Sequence, residues 1–246
     1  MPPRALSDLP WTEVAALDRA RAVAILPLGA IEAHGPHLPL GTDVIIAEAM
    51  AQTGAGLLAA RGLEPLILPP LAYTPAPFAA GFPGTLSLGP DTLTGAVRGI
   101  AASLARHGIR ILALANAHFD PAQVRALRAA APGAAATVVF PDLTRRALAA
   151  RLTPEFRSGA CHAGRYETSI VMAARPELVG ESARTLPPNP RSLTDAFSAG
   201  HRTFETAGGP AAYFGAPAEA TAAEGRESIA VLGEILAEAV LEVLTP

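Results

Sequence analysis

The chain contains no lysine: all nineteen of its basic residues are arginine. A GxxxxGK[ST] phosphate cradle is therefore absent, which weighs against a phosphatase or sugar isomerase. One cysteine, Cys161, is present. It excludes an intramolecular disulfide and a thiolate zinc site, both of which need at least two cysteines. Charged residues make up 17% of the 246 positions, with a net charge of −3. That balance offers no electrostatic footprint for nucleic acid, which normally requires a basic face, so small molecules or peptides are the expected partners. No apolar run approaches the ~20 residues of a membrane span, and the opening MPPRALSDLP lacks an apolar signal core. Residence in the cytoplasm is the expectation.

What the chain has in quantity is apolar sequence, 50% of all residues, which supports a large packed core. Strand-length apolar runs alternate with longer stretches of helical periodicity, the pattern of a mostly parallel sheet covered on both faces by helices. The expected fold class is α/β, in a single unit over 1–246. Strands are predicted over 22–28, 65–68, 109–115 and 136–140, and helices over 43–61, 91–105, 121–131, 165–174 and 222–243. Thr221 and Glu224 form a T-x-x-E capping box at the start of the last helix. Segments 69–84 and 186–215 are irregular and rich in turn formers, as binding walls and lids often are.

Polar residues of ligand type concentrate just beyond the predicted strands. In LPLGAIEAHGPHLPLGTD, Glu32 and His34 stand at i and i+2, so an extended chain would project both to one side. Asp43 follows, able to cap the next helix or to reach back toward the same point. In ILALANAHFD the spacing recurs with Asn116, His118 and Asp120, and Asp120 before Pro121 is also a good helix start. CHAGRYETS adds His162 and Glu167. Histidines and carboxylates delivered by two strand ends offer enough nitrogen and oxygen ligands for one or two divalent ions.

These segments resemble the creatininase family. Its opening signature is E-Q-H-G-P-H-L-P-L-G-T-D, with Ala33 here in place of glutamine. GFPGTLSLG, ANAHFD at the family's N-G-H, HAGRYETS at its H-A-G-x-x-E-T-S, and ATAAEG follow in the same order. The resemblance implies a three-layer α/β/α fold, hydrolysis of a C–N amide bond, two divalent ions per chain (zinc or manganese), and a homo-oligomer, commonly a hexamer. By motif, Glu32, Asp43 and His118 match one metal position, and His34, Asp43 and Asp120 the other, with Asp43 bridging. Glu167 is the alternative to Asp120 and a further catalytic candidate. His162 matches a proton-shuttling histidine. His37 and Asn116 are candidates for supporting the ligands, and Arg165 and Phe119 for contacting substrate. Trp11, the only tryptophan, lies outside every motif, which argues against creatinine itself as substrate. Two readings stay open at this level: a dinuclear amidohydrolase, or a non-catalytic chain that keeps the fold and at most one ion.

Overall fold

The computed structural model describes residues 4–244; the ends of the 1–246 unit, residues 1–3 and 245–246, lie outside the described residues. Five parallel strands, β1 (Arg4–Ala5), β2 (Ala22–Leu28), β3 (Glu64–Ile67), β4 (Ile111–Asn116) and β5 (Thr137–Val139), form one sheet in the order β1-β3-β2-β4-β5. The helices are α1 (Trp11–Ala15), α2 (Thr42–Ala60), α3 (Pro90–Arg106), α4 (Pro121–Ala130), α5 (Arg146–Ala149), α6 (Pro154–Ser158), α7 (Arg165–Ala174), α8 (Leu193–Ser198) and α9 (Ala222–Leu244). Every residue of β2 and β4 is buried, as the unbroken apolar runs require of strands covered on both faces.

Alternate residues of these strands feed two separate cores. Val23, Ile25, Ala113 and Ala115 pack with α2, α7 and α9, through Met50, Leu58, Ile170 and Leu236. Ala24, Leu26, Leu28, Leu112 and Leu114 pack with α3 and α4, through Leu93, Val97 and Leu127. The period of two thus yields helix, sheet and helix as three layers. Among the described residues no helix is long and apolar enough to cross a membrane.

Strand order also places the functional end. From β2 the chain steps through α2 to β3 on one side; from β3 it crosses back through α3 to β4 on the other. The direction of winding therefore reverses between β2 and β4, and in open α/β sheets the ligand crevice lies at such a point, beyond the carboxyl ends of the strands. Gly29, next after β2, makes the junction tight. A Cβ there would stand 2.5 Å from the backbone nitrogen of Val44, so its absence lets the strand end touch the first turn of α2, which carries Asp43.

Of the predicted elements, 22–28 and 165–174 match their bounds and the others shift by one or two residues at one or both ends. The short β1, α1, α5, α6 and α8 lack a length over which periodicity can be read. The capping box forms in half: Glu224 donates its backbone N–H to Thr221 Oγ1 at 3.2 Å, while its carboxylate turns away to Arg165.

Candidate metal centre

Three histidines converge beyond the ends of β2 and β4, and each has one ring nitrogen against a backbone carbonyl. His34 Nδ1 lies 3.1 Å from the oxygen of Glu32, His118 Nε2 is 2.8 Å from that of Pro75, and His162 Nε2 is 2.9 Å from that of Ala33. A carbonyl only accepts, so those nitrogens carry the protons. The other nitrogen of each neutral ring is then a lone pair, and all three lone pairs turn toward carboxylates. His118 Nδ1 stands 3.0 Å from Asp43 Oδ2 and 3.2 Å from Glu32 Oε1. His34 Nε2 stands 3.2 Å from Asp43 Oδ1 and 3.6 Å from Glu167 Oε2. His162 Nδ1 is more distant, 3.8 Å from Glu32 Oε1.

The i, i+2 spacing of Glu32 and His34 now has a local meaning: the backbone of the first residue fixes the tautomer and direction of the second. All six side chains are buried. Lone pairs and anionic oxygens at 3.0–3.9 Å repel one another unless a cation lies between them. That cation is either a proton on the ring or a metal ion. Glu32 Oε2, His34 Nε2 and Asp43 Oδ2 have no hydrogen-bond partner despite full burial, which costs stability unless something else satisfies them. The donors gather into Glu32–Asp43–His118, His34–Asp43–Glu167 and Glu32–His34–His162, each set of ligand atoms lying within 4.8 Å. Asp43 presents one oxygen to each of the first two sets. A mixed nitrogen and oxygen set of this kind fits zinc or manganese.

With protons as the counter-charge, the titrations are shifted far. Burial would lower the pKa of His34, but the Asp43, Glu167 and Glu32 carboxylates outweigh it and hold the ring at about 10. His118 is raised in the same manner by Glu32 and Asp43 against its burial. Burial pushes Glu167 up to about 8, partly offset by His34. Burial raises Glu32 as well, whereas His34 and His118 overcome it at Asp43 and draw that carboxyl below its ordinary range. His162 is lowered by burial and by the neighbouring His34, and so stays neutral.

The signs give a prediction for the chelated protein. The contribution of His34 is full below 6.5 and lost as pH rises through about 10, and that of Glu167 is full below 4.5 and lost through about 8. Both make the metal-free native state bind more protons than the unfolded chain, so its stability falls with rising pH. Asp43, with its lowered pKa, has the opposite sign but acts only in acid. Thermal melts from pH 6.5 to 9.5 should show a falling Tm with chelator and a flat or rising one with excess manganese or zinc, because metal takes the deprotonated ligands. A chelated protein whose Tm climbed over that range would contradict this electrostatic reading.

A family model described as creatinine amidohydrolase matches residues 7–240. The chain belongs to the creatininase family. It is 34% identical over 194 residues to a creatinine amidohydrolase of Pseudomonas putida, spanning 71% of this chain and 73% of that protein. It is 32% identical over 210 residues to a mycofactocin precursor peptide peptidase of Mycobacterium ulcerans (strain Agy99), spanning 84% and 79%. A solved creatinine amidohydrolase (creatininase) structure superposes with a TM-score of 0.74 at 26% identity over 98% of both chains. Other creatininase structures, one of an Mn form (TM-score 0.72, 26% identity, 99% and 100% covered) and one variant of Zn–Zn type (0.69, 27%, 98% of each), are similar in the same way.

The structure does not bring all of the residues marked in the sequence to the donors. Asp120 does not join a donor set: its Oδ1 accepts the N–H of Ala122 at 2.7 Å as the cap of α4, and its Oδ2 faces the Phe78 N–H at 3.4 Å. Glu167, the alternative to Asp120, falls in a donor set with His34 and Asp43, its Oε2 3.6 Å from His34 Nε2. The N–H of Ala163, a non-glycine residue held at φ 48°, donates to Glu167 Oε2 at 2.6 Å and fixes that turn. Arg165 is turned away from the cleft, ion-paired to Glu224 and, at 3.4 Å, to Glu219, because its neighbour Tyr166 takes the inward direction at this point of α7.

His37 and Asn116 stand behind the donors. His37 Nε2 is 3.0 Å from Thr168 Oγ1, next to Glu167. Asn116 Nδ2 donates to the His118 carbonyl at 2.7 Å and its Oδ1 accepts from Gln123 at 2.8 Å. Gln123 and Pro75 carry no motif; Pro75 acts only through its backbone oxygen, which no sequence pattern marks.

Glu32, Asp43, His118, His162 and Glu167 floor a cleft of about 910 Å³. Its walls include Phe78, Phe119, Phe156, Phe197 and Phe204. Phe119 packs edge-on against Phe156 with centroids 5.4 Å apart, and Phe204 lies 4.3 Å from the ring of His162. Trp11 is 79% exposed and takes no part.

Proposed function

We propose that this protein is a metal-dependent hydrolase of a C–N amide bond in a substrate of short-peptide size. The observation that carries the reading is the set of ring lone pairs aimed at buried carboxylates, with Asp43 offering one oxygen to each of two donor sets. Glu32, Asp43 and His118 would hold one divalent ion, and His34, Asp43 and Glu167 a second. Such ions lower the pKa of water toward neutrality and polarise an amide carbonyl.

The chain supplies the rest. Backbone carbonyls of Glu32 and Pro75 orient two of the rings, so the donors are placed before anything binds. His162 is neutral, its Nε2–H anchored on Ala33, and its free Nδ1 is the atom that accepts a proton and returns it to the departing nitrogen. An amide nitrogen leaves poorly until protonated, which gives this group its task. Phenylalanines of the cleft wall exclude water and bury the apolar part of the substrate. The cleft of about 910 Å³ has room for a short peptide or extended amide. In solution we place the chain in a homo-oligomer, in keeping with exposed Leu40, Leu86 and Leu88 near the strand-end loops.

The test is turnover of cyclic ureides, formamides, lactams and short peptides by protein stripped with chelator and then reloaded with manganese or zinc. Hydrolysis is expected in the reloaded protein, strongest on a short peptide, and none in the stripped one. Activity that survived exhaustive chelation would sink the mechanism. Full loading without turnover of any amide would favour the binding-subunit reading instead.

A further inference from the structure

The outer part of the cleft is basic in a chain whose net charge is −3. Arg125 and Arg128 stand three residues apart on α4, hence on one face; Arg146 opens α5, and Arg157 lies in the last turn of α6. All four are exposed and all four line the same cleft as the metal donors. Since the chain has no lysine, the choice of arginine carries no message; the placement does.

The local counter-charges do not balance them. Arg128 is engaged by Asp142, with Nε 2.8 Å from Oδ2, and reaches Thr144 at 3.2 Å. Arg157 donates to the carbonyls of Leu152 at 2.9 Å and Ala150 at 3.4 Å, which orient it without neutralising it. Arg125 acts on the charge of Asp120, itself committed to the α4 cap and Phe78. The guanidinium of Arg146 has no hydrogen bond or ion pair among the described residues. Three short elements thus bring four cations to one rim against two carboxylates. Guanidinium groups with unused donors bind oxyanions in a planar, two-pronged manner.

Resting on the amidohydrolase reading, we propose that the substrate is an anionic amide: it carries a carboxylate or phosphate that docks on Arg146 and Arg125 while the scissile bond lies over the donors. Arg125 and Arg128 follow the Asp120 cap by five and eight residues, about 8–12 Å along α4, a span of roughly two to four extended peptide residues. Arg125 and Arg146 line the same cleft as the donors, so an anion held by them shares that cleft with the bond that breaks.

The experiment uses metal-loaded protein and three probes: N-acetyl-Phe-Phe with a free carboxylate, its C-terminal carboxamide, and the carboxamide of a phosphoserine-containing analogue. Calorimetric Kd and turnover are both measured, for wild type and for the Arg125→Gln/Arg146→Gln double variant. One oxyanion form should bind about ten-fold more tightly than the neutral amide, with the preference falling as salt is raised. Which one leads distinguishes carboxylate from phosphate. In the double variant the preference should shrink below about three-fold, with metal content and Tm retained. Equal binding of charged and neutral forms by the wild type, or an anion preference that survives in the double variant, would overturn the proposal. Anion-dependent binding without turnover would sink the hydrolase reading alone, whereas turnover indifferent to charge would sink this inference alone.

Discussion

Asp43→Asn should cut turnover by at least about 10³-fold and remove most of both bound ions, the loss expected when a shared carboxylate of a two-metal site is taken away. The substitution keeps the size of the side chain but deletes its charge and turns one oxygen into an N–H donor. Asp43 Oδ1 and Oδ2 stand 3.2 Å from His34 Nε2 and 3.0 Å from His118 Nδ1, so no rotamer of asparagine serves both directions. The start of α2 does not depend on this side chain, since no side-chain cap bond marks its N-terminus. The variant should therefore fold, and circular dichroism with metal analysis separates a lost site from a lost fold. Retention of two ions and a near-normal rate would show that Asp43 is not the bridge.

The strand ends were the most legible part of this molecule in sequence. β2 and β4 are continuous apolar runs, and a polar residue of ligand type can follow such a run at alternate positions only where the chain leaves the sheet. Glu32, His34 and His118 stand out for that reason, and the structure brings them together with Asp43, His162 and Glu167. What could not be read is the direction of approach of the third wall. Asp120 and Glu167 are both carboxylates near a helix start, and local spacing does not choose between them as the ligand. Only the packing of α7 against α9 and α2 sends Glu167 inward, and only the path of 69–78 brings the Phe78 N–H to Asp120. The arginines of the rim were equally silent. Each is an ordinary exposed residue on a short helix, and their common cleft is a product of tertiary structure.

The division between the two carboxylates yields the second large effect. Glu167→Gln is expected to empty the position proposed for the second ion and lower turnover by about 10²–10³-fold, because His34 and Asp43 then lose the charged third donor of their set. The Ala163 N–H can still be accepted by the amide oxygen, so the strained turn before α7 persists and the fold survives. Asp120→Ala should do something different in kind. Removing an N-cap costs about 1 kcal/mol of stability, and metal content should stay at the wild-type level with the rate within about ten-fold. Metal analysis, melts and rates on the two variants side by side make a crossed comparison. If Asp120→Ala lost an ion and Glu167→Gln kept both, the assignment would have to be exchanged, with α4 supplying the ligand from its cap and Glu167, buried and raised to about 8, left free to act as an acid in the reaction.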